Sequence, residues 1–198
     1  MFVVVSRFDR LRAGVEAAVR SVYAERYGAV LTSFARTIVA DLNEEGGVEC
    51  AAGIRFGYEA LFSECYLDQP IECILQSHHD CDIKRECIVE VSHLAGPNAG
   101  RSIVFVQELI EFLHTKDVEA AIFTATRPLR GLLRRNGIKM LELGRADRAR
   151  VADPETWGSY FDHDPRIVAV VRQEPLATTR HVDLSRVAAS VLADARVF

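Results

Sequence analysis

The sequence predicts an α/β (α+β) fold: one domain, residues 1–198, with a mixed, mostly antiparallel central sheet and helices on both faces. Three observations predict this architecture. The 198 residues are 49% hydrophobic and 26% charged, which is enough apolar material for one core. Strand-like and helix-like segments follow one another in the order β-α-β-β-α-β-α-β-α-β-β. No repeat, low-complexity stretch or linker divides them.

The bounds of these elements come from the spacing of apolar residues and from turn signals. The predicted strands lie at residues 2–5, 30–42, 48–56, 86–94, 118–126, 138–143 and 166–172. The predicted helices lie between Asp9 and Gly28, within 60–75, at 102–113, between Pro128 and Asn136, and at 184–192.

Caps and breakers delimit the elements of the first half. Asp9 can cap the first helix, and Gly28 ends it. The turn sequence NEEGG at 43–47 joins two strands rich in β-branched residues, which predicts a hairpin. Pro70 interrupts the helical spacing of 60–75, so we expect two short helices there.

The second half alternates strands and helices. The strand at 86–94 ends in a glycine-bearing turn, and the apolar residues of 102–113 make one broad helical face. Nearly every residue at 118–126 is apolar, which predicts a central strand buried on both faces. Pro128 suits the first turn of the helix that follows.

Composition excludes several classes of function. The net charge of −4 favours neither nucleic acid nor anionic lipid as a partner. The five cysteines are irregularly spaced without a CxxC pair, which is typical of reduced cytosolic thiols. No window reaches the roughly 18 apolar residues of a membrane span. We therefore expect a cytoplasmic protein without a membrane span.

One turn has the composition of an anion site. Gly100 lets backbone approach an anion, Arg101 adds positive charge, and Ser102 can donate a hydrogen bond from a helix start. A basic segment at 127–139 can meet a phosphate or an acidic protein. An ordinary glycine loop and a solvated helix face are the structural alternatives, and both stay open at this point.

Several segments resemble the bacterial thermostable hemolysin family. These are EALFSECYLDQPIE (59–72), IVEVSHLAG (88–96), IFTAT (122–126) and WGSYFDHDP (157–165). The order of elements resembles the core of the Gcn5-related N-acyltransferases, and FTATRPLRGLLRRNGIKMLELG (123–144) is similar to the corresponding run of acyl-homoserine-lactone synthases. Together the matches extend over roughly positions 10–172.

This resemblance implies an N-acyltransferase-like fold and an acyltransferase activity. The acyl group would pass from a pantetheine thioester, on acyl-CoA or an acyl-carrier protein, to a small amine by direct attack, without a covalently bound cofactor. S-adenosylmethionine is a further candidate for the amine. The alternatives are a membrane-active hemolysin-like protein and a catalytically inactive acyltransferase fold that serves as a binding module.

The family's signature for the carrier phosphates, Arg/Gln-x-x-Gly-x-Gly/Ala, keeps one glycine here, in the stretch from Pro97 to Ser102. The departure favours an acyl-carrier protein modestly over free coenzyme A, because its phosphopantetheine carries a single phosphate. The resemblance assigns the following residues to the carrier: Leu94, Gly96, Gly100, Arg101, Ser102, Thr124, Thr126, Arg127 and Arg130.

Four residues are candidates for proton transfer. Glu90 lies in an apolar strand, where a carboxylate is either paired with an arginine or acts as a general base. Glu64 and His93 are the alternative bases, although an ideal strand directs His93 and Glu90 to opposite faces. Tyr160 can protonate a leaving thiolate. Each of them also has a purely structural interpretation.

Three aromatic residues, Phe62, Tyr66 and Trp157, are predicted to line the substrate pocket. No metal site is predicted. The side chains of His78, His79, Cys81 and Asp82 can bind metals, but adjacent histidines rarely hold one ion and no second shell is evident.

Overall fold

The computed structural model describes residues 1–78 and 83–172. The strands are β1 (Phe2–Val5), β2 (Thr37–Leu42), β3 (Val48–Phe56), β4 (Ile88–Ala95), β5 (Ala120–Ala125), β6 (Leu141–Arg145) and β7 (Arg166–Val171). The helices are α1 (Arg12–Tyr27), α2 (Ile71–His78), α3 (Ala99–His114) and α4 (Arg127–Arg135). The predicted helix at 184–192 lies outside the described residues, as do His79, Cys81 and Asp82.

The strands form one sheet in the order β1-β2-β3-β4-β5-β7-β6. Neighbouring strands are antiparallel except β4 and β5, which are parallel. The predicted fold class and the predicted order of elements are confirmed. The single parallel pair arises because β4 and β5 are joined by α3, a crossover helix, rather than by a hairpin.

Apolar clusters cover both faces of the sheet. Ile88 packs with α2, whereas its neighbour Val89 packs with α3, and adjacent residues of a strand point to opposite faces. The cluster around α1 lies on the α2 face, because it contains Ile38 and Ala40 while Val39 lies with α3. α3 also contacts α4, so these two helices form the layer on the opposite face of the sheet from α1 and α2.

The predicted hairpin is confirmed, but its first strand is shorter than predicted. Residues 30–36 run alongside α1 instead of pairing in the sheet. Arg12 donates to the carbonyls of Ala35 and Arg36, at 2.6 and 2.9 Å, and Arg20 donates to that of Leu31 at 3.3 Å. Side chains of α1 therefore take the carbonyl groups that a strand partner would otherwise use.

The start of α3 also differs from the prediction of 102–113. Asn98 caps the helix, since its side chain accepts from the backbone N–H of Arg101 at 2.9 Å. Gly100 consequently lies in the first turn of the helix rather than in the loop before it. In the turn before α3, close packing requires the glycine at position 96, because an added Cβ on Gly96 would collide with the Ser102 hydroxyl and would lie 3.0 Å from the Cys50 sulfur.

Candidate active site

The sheet opens between its two parallel strands. β4 and β5 pair at three positions, of which the last joins Glu90 to Ile122. Beyond that point they separate, and a cavity of about 510 Å³ fills the gap. The predicted burial of β5 on both faces is wrong for this reason: Ala121 and Phe123 are half-buried in the wall of the cavity.

The cavity has two chemically different halves. On the α1 face the lining is aromatic and polar, from Tyr23, Tyr27, Ser63, Tyr66, Glu90 and Tyr160. On the other face, between α3 and α4, the lining is aliphatic, from Val106, Leu109, Ile110, Leu129, Leu132 and Ile138. A ligand that crosses the sheet here would have one polar and one apolar end.

Glu90 is a fully engaged carboxylate. Its side chain is 1% exposed and accepts four hydrogen bonds: from Arg55 at 3.1 Å, from the backbone of Phe62 at 2.8 Å, and from the backbone and hydroxyl of Ser63 at 2.7 and 2.6 Å. Glu90 thus caps the 3₁₀ turn Phe62–Tyr66. It also pairs with Arg55, its neighbour on the adjacent strand β3. Of the two interpretations of Glu90, this geometry favours pairing.

Glu64 lies away from the cavity, contrary to its expected place beside the amine. Its carboxylate forms a bidentate pair with Arg85, at 2.7 and 2.8 Å, and accepts from the N–H of Ile71 at the start of α2. The hydrogen bonds from Arg85 lower the pKa of Glu64. Because Arg85 engages both carboxylate oxygens outside the cavity, the structure assigns Glu64 to joining α2 to the segment before β4.

His93 lies in a bulge of β4. Between the pairs Gly53–Ser92 and Ala51–Ala95, β4 has one residue more than β3, and His93 takes a positive φ of 52°. The bulge turns the imidazole to the α1 face, where it packs against Tyr23 and Phe34 and lines the cavity. His93 and Glu90 therefore share a face, as they would only if the strand bulged.

Tyr160 and the two threonines of β5 lie together at the gap. The Tyr160 hydroxyl is 3.2 Å from the carbonyl oxygen of Thr124, to which it donates, and burial raises its pKa well above that of a free tyrosine. The Thr124 hydroxyl is 3.2 Å from that of Ser63. Thr126 is buried in the cavity wall just before α4. Because its phenol stays protonated, Tyr160 can donate a hydrogen bond but cannot act as a base.

The three predicted pocket aromatics line the cavity together. Phe62 stacks on Trp157, with ring centroids 5.9 Å apart, and meets Tyr66 edge-on at the same separation. The cavity also reaches Leu94 and Gly96, and Ser102 in the first turn of α3.

Arg101 does not face the cavity. It pairs with Asp41 and Glu49 of the hairpin, with its Nε 2.8 Å from Glu49. Gly100 is likewise absent from the lining. A cation that does line the cavity near the start of α3 is Arg26 of α1. It donates to the Gly96 carbonyl at 3.3 Å and has no carboxylate partner among the described residues.

The two predicted arginines of α4 differ in environment. Arg130 is buried and donates to the carbonyls of Ala125 and Asp164 and to the Asp164 carboxylate, at 2.6, 2.6 and 2.8 Å. It therefore fastens α4 to the sheet instead of binding a carrier. Arg127 is exposed, 3.7 Å from Asp164. Arg135, which belongs to the basic segment at 127–139, lines the cavity.

Among the contributors to this site that sequence reasoning missed are Arg26, Arg55 and Ser63. A signal existed for Arg55, because it follows an apolar stretch of its strand, the same pattern that singled out Glu90. Arg26 resembles any exposed residue at a helix end. Ser63 is recognisable only from the contacts of Glu90.

Within residues 1–78 and 83–172, no group of three or more His, Cys, Asp or Glu side chains is arranged to hold a metal ion. No helix in the same ranges is long and apolar enough to cross a membrane.

The fold is that of N-acyltransferases. Among similar solved structures are the AHL synthase LasI (13% identity, TM-score 0.59, 86% of this chain and 90% of that chain) and MesI, a CoA-dependent acyl-homoserine lactone synthase (14%, 0.53, 96% and 95%). A third is FeeM, an N-acyl amino acid synthase from uncultured soil microbes (13%, 0.57, 86% and 94%). At these identities the likeness establishes the fold.

The chain belongs to the thermostable hemolysin family, whose model matches residues 5–175. The predicted resemblance is thereby confirmed. A search of curated proteins returned no match.

Proposed function

We propose that the protein is an N-acyltransferase that moves an acyl group from a pantetheine thioester to a small amine. The observation that carries this proposal is the cavity through the gap between β4 and β5, with a polar half on one face and an aliphatic half on the other. A thioester held in that gap would have its acyl chain among apolar side chains and its carbonyl near the polar groups.

The phosphate end of the donor would lie at the start of α3. The positive end of the α3 dipole and the Arg26 guanidinium provide positive charge there, whereas the Ser102 hydroxyl donates to the Asn98 carbonyl at 2.7 Å. Both acyl-CoA and an acyl-carrier protein fit this arrangement. Exposed Arg127 and Arg134 beside the cavity support a carrier protein with an acidic surface, whereas the similar MesI is a CoA-dependent enzyme.

The aliphatic half supports a medium or long acyl chain rather than acetyl. Eight aliphatic side chains from α3, α4 and the segment after α4 line it, and burying each additional methylene contributes about 0.8 kcal/mol. The acceptor amine would enter from the α1 face, between Trp157 and the Arg55–Glu90 pair. An amino acid and S-adenosylmethionine are the candidate acceptors, and FeeM is an N-acyl amino acid synthase.

Direct attack by the amine fits the described residues better than a covalent enzyme intermediate. The cysteine thiols nearest the site in sequence are poor nucleophiles, because burial raises the pKa of both Cys65 and Cys87. The Tyr160 hydroxyl, which donates to the Thr124 carbonyl, would turn to donate a hydrogen bond to the thiolate as it leaves.

The test is intact-mass analysis after incubation with decanoyl-CoA or a decanoyl carrier protein and a panel of the twenty amino acids plus S-adenosylmethionine. We expect one acylated amine together with the free thiol. Binding of either donor without any acylated amine would instead identify a binding module. Leakage of lipid vesicles by the protein without a donor would support a membrane-active protein.

A further inference from the structure

His93 combines two features that are costly in a folded chain. It is a non-glycine residue with a positive φ, 52°, which side chains disfavour. Its Nδ1 is buried and has no hydrogen-bond partner among the described residues. Strain and an orphaned polar atom at one residue indicate a functional constraint on that residue rather than a contribution to stability.

The surroundings of His93 keep its imidazole neutral and aim it at the cavity. The ring packs against Tyr23 of α1, with centroids 5.9 Å apart, and against Phe34 at 5.3 Å. Burial, together with the charge of Arg55 on β3, lowers the pKa of His93 to about 4. A neutral imidazole retains one nitrogen lone pair that can accept a proton.

We propose that His93 is the residue that takes the proton from the acceptor amine as the amine attacks the thioester. The proposal rests on the proposed acyltransferase function and identifies the base of that reaction. The other candidates are committed elsewhere: Glu90 accepts four hydrogen bonds, and Glu64 is paired with Arg85. Tyr160 keeps its proton, because burial raises its pKa.

The reaction balances without a further reactant. A neutral amine forms the N–C bond to the thioester carbonyl carbon, and its nitrogen becomes acidic as the bond forms. The proton passes to His93, the C–S bond breaks, and the imidazolium gives the proton to the departing sulfur. The amide and the free thiol leave, and the ring is neutral again.

His93→Gln and His93→Asn test this role, with His114→Asn as the matched control, because His114 is an exposed histidine at the end of α3. The measurements are calorimetric binding of decanoyl-CoA, the melting temperature, and kcat for thiol release with the amine panel. We expect both His93 variants to bind the donor within about twofold of the wild type and to lose about 100-fold in kcat. Asn tolerates positive φ, so His93→Asn should melt no lower than the wild type.

Chemical rescue separates a base from a structural residue. In His93→Gly, which accepts the same φ, added imidazole should restore part of kcat, whereas it should not change that of His114→Asn. Variants that keep kcat within about threefold, or that lose donor binding and melting temperature together with kcat, would overturn the assignment. If the wild-type protein acylates no amine, the proposed function fails, and this proposal fails with it.

Discussion

Arg55 on β3 and Glu90 on β4 form an ion pair in which Glu90 is buried and Arg55 is partly exposed, at the last level of the sheet before β4 and β5 separate. Both side chains line the polar half of the cavity. Because Glu90 also holds the 3₁₀ turn that carries Phe62 and Ser63, this one carboxylate links the sheet to the wall of the site.

Replacing Glu90 with Gln should destabilise the fold. The amide would leave Arg55 without its counter-charge and would turn a donor towards the N–H groups of the turn. We expect the free energy of unfolding to fall by about 3 kcal/mol, measured by urea denaturation. The control is the exposed Glu86, two residues before β4. Glu86→Gln should change the free energy of unfolding by less than about 0.5 kcal/mol. Equal losses in the two variants would contradict this assignment.

The Glu64–Arg85 pair predicts part of the acid sensitivity of the protein. The pKa of Glu64 is lower in the folded state than in the unfolded chain. Its contribution to stability is therefore present above the unfolded pKa and is lost as the pH falls through the folded pKa. Between pH 7 and pH 3 the wild type should lose more free energy of unfolding than Glu64→Gln, as followed by urea denaturation at each pH. Parallel losses would refute the prediction.

Two arginines near α3 should have opposite roles. Arg26→Ala should weaken the binding of decanoyl-CoA about tenfold, because it removes a charge that faces the donor, and should leave stability nearly unchanged. Arg101→Ala should lower the melting temperature and leave donor affinity nearly unchanged, because it breaks the contacts with Asp41 and Glu49. Calorimetry measures the donor affinity of both variants, and thermal melts measure their stability. The reverse pattern would identify Arg101 as the phosphate ligand.

The aliphatic half of the cavity should set the acyl length. Leu132→Trp fills the space between α3 and α4, so the ratio of kcat/KM for decanoyl-CoA to that for butanoyl-CoA should fall at least about tenfold. Val104→Trp is the control, because Val104 is exposed on α3. An unchanged ratio in Leu132→Trp would mean that the chain does not enter this half.

Local patterns in the sequence determined the order of elements, the hairpin around residues 43–47 and the end of α1 at Gly28. Each depends on neighbours within a few positions: apolar periodicity, turn residues, and a glycine at a φ of 65°. The segments that resemble the thermostable hemolysin family likewise pointed to the walls of the cavity. Phe62, Tyr66 and Trp157 were named from the sequence, and all three line it.

Only the tertiary structure decided what each charged residue does. Glu64, Arg101 and Arg130 looked like functional residues, yet partners 21, 52 and 34 positions away engage them. The bulge at His93 depends on the register between β3 and β4, which local propensity does not specify. Charge pairing and strand register are long-range properties, so the sequence could only nominate Glu90 and His93. The assembled sheet showed that Glu90 accepts four hydrogen bonds, whereas Nδ1 of His93 has no partner among the described residues.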